Sequence, residues 1–184
     1  LDISAVGIPF VGALPLGVFF IPFFVFVTLA IYASGVIDGI DGLAGGIFAI
    51  VFMAYAGIAF AQEQLALSAF AAAVSGGLFA FLWFNIPPAR FYMGETGILG
   101  LTVTLSVIAF LTDTVLVLPL IALPLVATSL SVVIQIIGYK YFNKKRVFKV
   151  APLHHHFEAL GWSRPKIVMR YWIISVVCAI SGVI

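Results

Sequence analysis

The sequence predicts an all-α fold: a polytopic bundle of transmembrane helices, about six spans within 184 residues. Three observations predict it. Hydrophobic residues make up 64% of the chain and charged residues 9%, where a soluble domain has roughly 45–50% apolar and about 25% charged residues. Apolar stretches of near-membrane length alternate with short polar connections, and one helical crossing takes roughly 20 apolar residues. The charges are also placed asymmetrically. The basic residues Arg90, Lys140, Lys144, Lys145, Arg146, Lys149, Arg164, Lys166 and Arg170 fall in two inter-span regions or, for Arg170, at the border of one.

The elements follow in order. Residues 1–18 carry Pro9 and Pro15, and proline breaks helix interiors, so an irregular or hairpin segment at the membrane edge is expected there. The first span runs from about Phe19 to Ser34. The glycine-rich segment 35–42 separates it from the second, Leu43–Ala61, which stops at Gln62-Glu63-Gln64. The third span is Leu65–Phe84. A loop over 85–97 then holds Pro87, Pro88, Arg90 and Glu95. The fourth span, Ile98–Leu111, is short and closes on Thr112-Asp113-Thr114. The fifth, Val115–Tyr139, is bent by Pro119 and Pro124. The polar region 140–166 is the longest connection, and Ile167–Ile184 forms the sixth span. All 184 residues read as one membrane domain. The chain opens at Leu1 with neither methionine nor a charged segment ahead of an apolar core, so no signal peptide is expected and an N-terminal part is expected to precede it. Cys178, the single cysteine, is expected to be a buried small hydrophobe.

Alternation places the connections after spans one, three and five on one side. That side holds all the basic residues, so the positive-inside rule makes it cytoplasmic. It also collects Asp38, Asp41, Asn85, Glu95, His154, His155, His156 and Glu158. The other connections carry only Glu63 and Asp113. Chemically capable groups gathered at one lipid–water boundary suit a surface-acting enzyme. A transporter would place some of them at mid-span, where these spans hold mainly Ser, Thr and Gly.

Three stretches carry the chemistry. In Ile37-Asp38-Gly39-Ile40-Asp41-Gly42-Leu43, aspartates three apart share one face if helical. Carboxylates at the end of an apolar span are costly unless paired, metal-bound or hydrated. The bland alternative is a Gly-rich turn whose aspartates cap the next helix. In Asn85-Ile86-Pro87-Pro88-Ala89-Arg90-Phe91-Tyr92-Met93-Gly94-Glu95, Tyr92 offers a stacking surface. Glu95 suits magnesium, which takes one or two protein carboxylates besides phosphate oxygens and water. The alternative there is a rigid loop with Glu95 capping a helix. In Ala151-Pro152-Leu153-His154-His155-His156-Phe157-Glu158, three successive histidines cannot share one face. With the nearby lysines they suit a diphosphate; lipid headgroups are the alternative for the lysines. Zinc fits an adjacent triplet poorly.

These stretches, with Phe81-Leu82-Trp83-Phe84-Asn85, Gly161-Trp162 and Arg170-Tyr171-Trp172-Ile173-Ile174-Ser175, resemble the phospho-N-acetylmuramoyl-pentapeptide-transferase family, within the wider polyprenyl-phosphate hexosamine-1-phosphate transferases. The resemblance runs from about Thr28 to the end. It implies a ten-span fold of which this chain is the C-terminal part, in the bacterial inner membrane with a cytoplasmic active face. It implies transfer of phospho-MurNAc-pentapeptide from UDP-MurNAc-pentapeptide to undecaprenyl phosphate, giving lipid I and UMP in peptidoglycan synthesis, with Mg2+ as cofactor. A homodimer and membrane lipid join the expected partners; nucleic acid does not. By motif, Asp38 and Asp41 help form the nucleotide pocket and Asn85 sits near the nucleotide. Tyr92 stacks on uracil, Glu95 holds the metal, and Gln135 lies near the nucleoside. His154, His155 and His156 contact the substrate's phosphates or sugar.

The chain departs from the family pattern at four places. Glu95 stands for an aspartate, Ile98 for a serine and Gly35 for an asparagine, and an N-terminal aspartate pair with a lysine has no counterpart among these residues. Catalysis by this chain alone is therefore expected to be incomplete. Two other readings share the composition: a UDP-HexNAc transferase of the wider family, against which the His-His-His-Phe-Glu stretch argues, and a non-catalytic transporter or lipid-binding module.

Overall fold

The computed structural model describes residues 5–8, 12–141 and 146–183. Lys144 and Lys145, two of the basic residues in the longest polar connection, lie outside them. The chain is an all-α polytopic bundle with one small hairpin. Strands β1 (Ala5–Ile8) and β2 (Gly12–Pro15) pair antiparallel. They lead into α1 (Phe20–Ala33), which 3-10 turns at both ends extend into one apolar span over Gly17–Ile37. There follow α2 (Leu43–Ala61), α3 (Leu65–Asn85), α4 (Gly94–Leu111), α5 (Leu118–Ile121), α6 (Leu123–Tyr141), α7 (Leu153–Ala159) and α8 (Arg164–Val183). Six of these segments are long and apolar enough to cross a membrane.

The second span begins and ends where the sequence puts it. Three differences from the sequence reading have physical causes. The fourth span starts at Gly94 rather than Ile98, because Gly94 takes a positive φ of 69° and turns the chain straight into a helix; Glu95 therefore occupies the first helical turn. The fifth span is divided at Ala122 into a four-residue turn, α5, and the crossing helix α6. Pro119 and Pro124 each sit in a first turn, where a missing N–H costs no hydrogen bond, so the prolines start helices instead of bending one. The region 140–166 contains a helix, α7, that carries the three histidines.

The core forms around α2. Of its most apolar window 72% is buried, against 17–33% for the other five candidate spans, with α3, α8 and α4 packed against it. Without a hydrophobic drive between helices in lipid, close approach depends on small residues and interhelical hydrogen bonds. Both occur between α2 and α3. A Cβ on Gly45 would lie 3.0 Å from the Phe81 ring. The hydroxyls of Ser75 and Ser68 donate to the carbonyls of Ala49 and Ala56 at 2.8 Å each. On the other flank Trp172 of α8 lies directly over Gly46, and its indole N–H donates to the Gly42 carbonyl at 3.2 Å.

Side-chain to backbone bonds close the bundle at the end away from the histidines. Gln62 donates to the Thr112 carbonyl at 2.8 Å and Gln64 to the Leu111 carbonyl at 3.2 Å. The Gly7 amide donates to the Asp113 carboxylate at 2.5 Å. The hairpin is thereby tied to the connection that follows span four.

Gly46 leaves no room for a side chain beneath the Trp172 indole. Gly46→Ala is expected to destabilise the bundle by about 1–3 kcal/mol, the usual cost of overpacking a close-packed core. Thermal unfolding in detergent would register it as a lowered midpoint, and an unchanged midpoint would show that α8 does not sit against α2 in this way.

Candidate functional site

At the opposite end of the bundle, non-helical segments meet. The first is the turn 38–42, which Gly42 ends with a positive φ of 79° at the start of α2. The second is the connection 86–93 between α3 and α4. Asn85, buried at the last position of α3, joins them. Its side-chain oxygen accepts from the Gly42 amide at 2.9 Å, and its amide nitrogen donates to the Phe91 carbonyl at 2.9 Å. Asp41 adds a second tie by accepting from the Ala89 amide at 3.1 Å.

These ties place Asp38 and Glu95 on one cavity of about 400 Å³, lined also by Tyr32, Gly35, Val36 and Ile98. Partial burial, followed by the charge of Asp41, holds the Asp38 carboxyl above its ordinary range. A cation beside Asp38 would relieve that cost. Among the described residues no group of three or more His, Cys, Asp or Glu side chains forms a metal cluster. Two carboxylates beside open space fit a magnesium ion that takes its remaining ligands from phosphate and water. They do not fit a closed protein cage.

A helix, α7, completes this end of the bundle and lies against the turn 38–42. A Cβ on Gly39 would fall 2.5 Å from His154 Nε2 and 2.9 Å from His155 Nε2, so only glycine lets the histidine helix come this close. The three rings have separate surroundings. His154 is fully buried, with neither ring nitrogen hydrogen-bonded. Burial, then the neighbouring His155, lowers its pKa to about 4. His155 Nδ1 meets the Glu158 carboxylate at 2.5 Å, and Arg164 Nε donates to the other oxygen of Glu158 at 2.7 Å. His156 Nδ1 accepts from the Lys149 amide at 3.1 Å. Burial alone would raise the Glu158 carboxyl, but the bonds from Arg164 and His155 outweigh it and hold the group below its ordinary value.

The remaining expected residues are placed as follows. Tyr92 is exposed at the entrance to α4. Gln135, on α6, uses both ends of its amide on one residue: it donates to the Phe148 carbonyl at 3.1 Å and accepts from the Phe148 amide at 2.9 Å. It holds the strand of chain that leads to α7. Trp162, which the sequence reading uses only for the resemblance and gives no role, is a packing centre here. Phe157 stacks on its ring at 4.7 Å, and the Arg170 guanidinium lies 4.1 Å from the same ring.

A model of glycosyl transferase family 4 matches residues 1–113, more than half of the chain. The chain belongs to that family. Three relatives extend the likeness through the histidine helix, each named a phospho-N-acetylmuramoyl-pentapeptide-transferase. The one from Brachyspira hyodysenteriae is 38% identical over 198 residues, 98% of this chain and 52% of its own length. That of Chloroflexus aurantiacus is 43% identical over 187 residues, 97% of this chain and 51% of its own. That of Thermoanaerobacter sp. is 43% identical over 163 residues, 88% of this chain and 51% of its own. The chain spans about half the length of these relatives. With its six candidate spans, this member of family 4 is a multi-pass membrane protein.

Two outcomes follow from the site's geometry. Asn85→Ala leaves the Gly42 amide and the Phe91 carbonyl without their partner and is expected to cost about 1–3 kcal/mol, the penalty for stranding buried backbone groups; a thermal midpoint in detergent equal to that of the parent would refute the clasp. His154, neutral in the folded state down to about pH 4, takes up its proton first in the unfolded chain, near the ordinary value of 6.5. The unfolded state therefore binds more protons in this window, and stability falls as pH drops from 6.5 towards 4. Midpoints measured across that range should decline more steeply for the parent than for His154→Leu.

Proposed function

We propose that the full-length protein transfers phospho-MurNAc-pentapeptide from UDP-MurNAc-pentapeptide to undecaprenyl phosphate, releasing UMP and forming lipid I. The reaction takes place at the cytoplasmic face of the bacterial inner membrane. The observation that carries this reading is the shared cavity of Asp38 and Glu95 beside the histidine helix, at the end of the bundle that bears the basic residues. The names of the relatives, all phospho-N-acetylmuramoyl-pentapeptide-transferases, support the substrate pair. The distribution of Lys and Arg supports the cytoplasmic orientation.

The transfer joins a lipid phosphate oxygen to the β-phosphorus of the nucleotide and breaks that phosphorus's bond to the bridging oxygen, which leaves with UMP. Several negative charges converge, so the protein's work is alignment and charge neutralisation. Glu95, with Asp38 across the cavity, would hold magnesium, which supplies Lewis-acid neutralisation of the diphosphate oxygens. Asp41, with its tie to Ala89, fixes the floor of the nucleotide pocket, and Asn85 joins the two sides of that pocket. Tyr92, largely exposed, offers its ring to uracil. Gln135 keeps the chain before α7 in place, and His154, His155 and His156 border the diphosphate and sugar. The chain spans about half the length of its relatives, and the remainder of the full-length protein is to supply the groups that activate the lipid phosphate or help position the metal.

The test uses the full-length protein, radiolabelled UDP-MurNAc-pentapeptide, undecaprenyl phosphate and magnesium. Lipid I is expected, and Glu95→Gln is expected to reduce its formation by about a hundredfold or more, as when one charge-stabilising group is lost from an active site. Undiminished product with Glu95→Gln would overturn the metal assignment. Turnover of UDP-GlcNAc in place of the muramoyl substrate would move the enzyme to another branch of the superfamily.

A further inference from the structure

The histidine helix shows which nitrogen of each ring is committed. A carboxylate held below its ordinary pKa is ionised at neutral pH and can only accept hydrogen bonds. Glu158 is such a group, so the short contact with His155 Nδ1 requires the proton on that nitrogen. The neighbouring ring is set the other way. His156 Nδ1 accepts from the Lys149 backbone amide, an obligate donor, so in the neutral ring the proton sits on Nε2. Two adjacent histidines on one short helix are thereby fixed in opposite tautomers by two different partners. His155 remains about a third exposed at its side chain, and its Nε2 faces Gly39 in the turn between Asp38 and Asp41.

We propose that Glu158 is the positioning residue of this site: it binds His155 Nδ1–H and Arg164 Nε–H on its two oxygens, and so presents His155 Nε2, fixed in direction and in the neutral ring left as the acceptor, to a ligand seated at the 38–42 turn. Three features of the molecule support it. Glu158 and His155 are three apart on α7, hence neighbours on one helix face. Arg164 reaches back from the start of α8 to the far oxygen of the same carboxylate, so the oxygen turned towards His155 is left to that ring alone. Gly161, at a positive φ of 87°, reverses the chain between the two helices and makes that reach feasible. A ring hydrogen-bonded at one nitrogen has its other nitrogen aimed by the same bond, the arrangement by which outer partners orient ligating histidines. The role of the aimed nitrogen toward substrate rests on the transferase reading. The tautomer does not.

The experiment separates the two. Side-chain 15N spectra of the full-length protein in detergent, labelled at histidine, are recorded at a pH well above the imidazole range. His155 and His156 are assigned by subtraction with His155→Gln and His156→Gln. The expected result is His155 protonated at Nδ1 and His156 at Nε2. His155 protonated at Nε2 in the parent protein overturns the proposal without any further variant. Glu158→Ala is expected to convert His155 to a mixture of tautomers while His156 is unchanged, and an unchanged His155 spectrum overturns it too. If Glu158→Ala fails to fold, Glu158→Gln replaces it: one amide oxygen can serve His155 or Arg164 but not both, and partial loss of the Nδ1–H form is expected. Arg164→Gln removes only the exposed partner and should leave the tautomer in place. In the transfer assay, Glu158→Ala should lower kcat/KM about tenfold, the scale on which outer partners of a site act, chiefly through KM for the nucleotide, with Arg164→Gln within about twofold. Full transfer activity alongside an altered tautomer would overturn the ligand-facing role and leave the positioning role standing.

Discussion

The site depends on how irregular backbone is tolerated at the edge of a bilayer. Lipid supplies no hydrogen bonds, so a spanning chain leaves the helix only where protein or water satisfies the freed groups. Here the chain leaves it after α1 and after α3, and a single buried amide serves both departures. Asn85 has one acceptor and one donor, and each goes to a different irregular segment. Asp41 makes a second bond across the same junction. The price is a polar side chain buried at the end of an apolar helix. The result is that Asp38 and Glu95, 57 positions apart in the sequence, line one cavity.

The junction is anchored to the part of the bundle least able to move. Gly42 follows the aspartates and opens α2, the most buried helix, and its carbonyl accepts from Trp172 of α8. The same α8 begins at Arg164, whose partner Glu158 lies in the last turn of the histidine helix. Spine, carboxylate turn and histidine helix are thus linked through contacts one residue wide, with glycine at each close approach: Gly46 under Trp172 and Gly39 under the histidines. Rigid elements holding polar groups in fixed directions are what electrostatic catalysis of phosphoryl transfer requires. The exposed Tyr92 and the open side of the cavity leave room for a large substrate.

Much of this was legible from the sequence, and the rest was hidden for identifiable reasons. The bundle and its spans followed from apolar length, because a bilayer imposes one length on every crossing. The gathering of Asp38, Asp41, Glu95 and the histidines at one end followed from counting crossings, which needs no knowledge of packing. The start of α4 was misplaced because Gly94 reads as a loop residue, whereas its positive φ is what begins the helix. The fifth span was drawn as one bent helix because proline signals a break without saying whether a new helix starts there. Helix α7 was concealed by a flanking proline and a run of histidines with weak helical preference. Once it is a helix, the three-residue spacing of His155 and Glu158 becomes informative. Nothing local could show that the Asn85 oxygen goes to Gly42, 43 positions away, or that the Gln135 amide goes to Phe148, 13 positions away, because only tertiary structure selects these partners.

The cavity also bears on the positions where this chain departs from the family it resembles. Gly35 and Ile98 are two of them, and they touch: a Cβ on Gly35 would come within 2.5 Å of the Ile98 side chain. A branched apolar residue fits at 98 because position 35 carries no side chain. A third departure, Glu95, lies one helical turn before Ile98 and lines the same cavity. Its extra methylene moves the carboxylate by roughly an ångström, a distance on which catalytic alignment depends. Residues that share a wall do not act independently, and their effects on a site do not add. The three departures are therefore better understood as one remodelled wall than as three separate losses. Glycine at 35 accommodates isoleucine at 98, and the wall they form is the surface against which the longer Glu95 carboxylate must be placed.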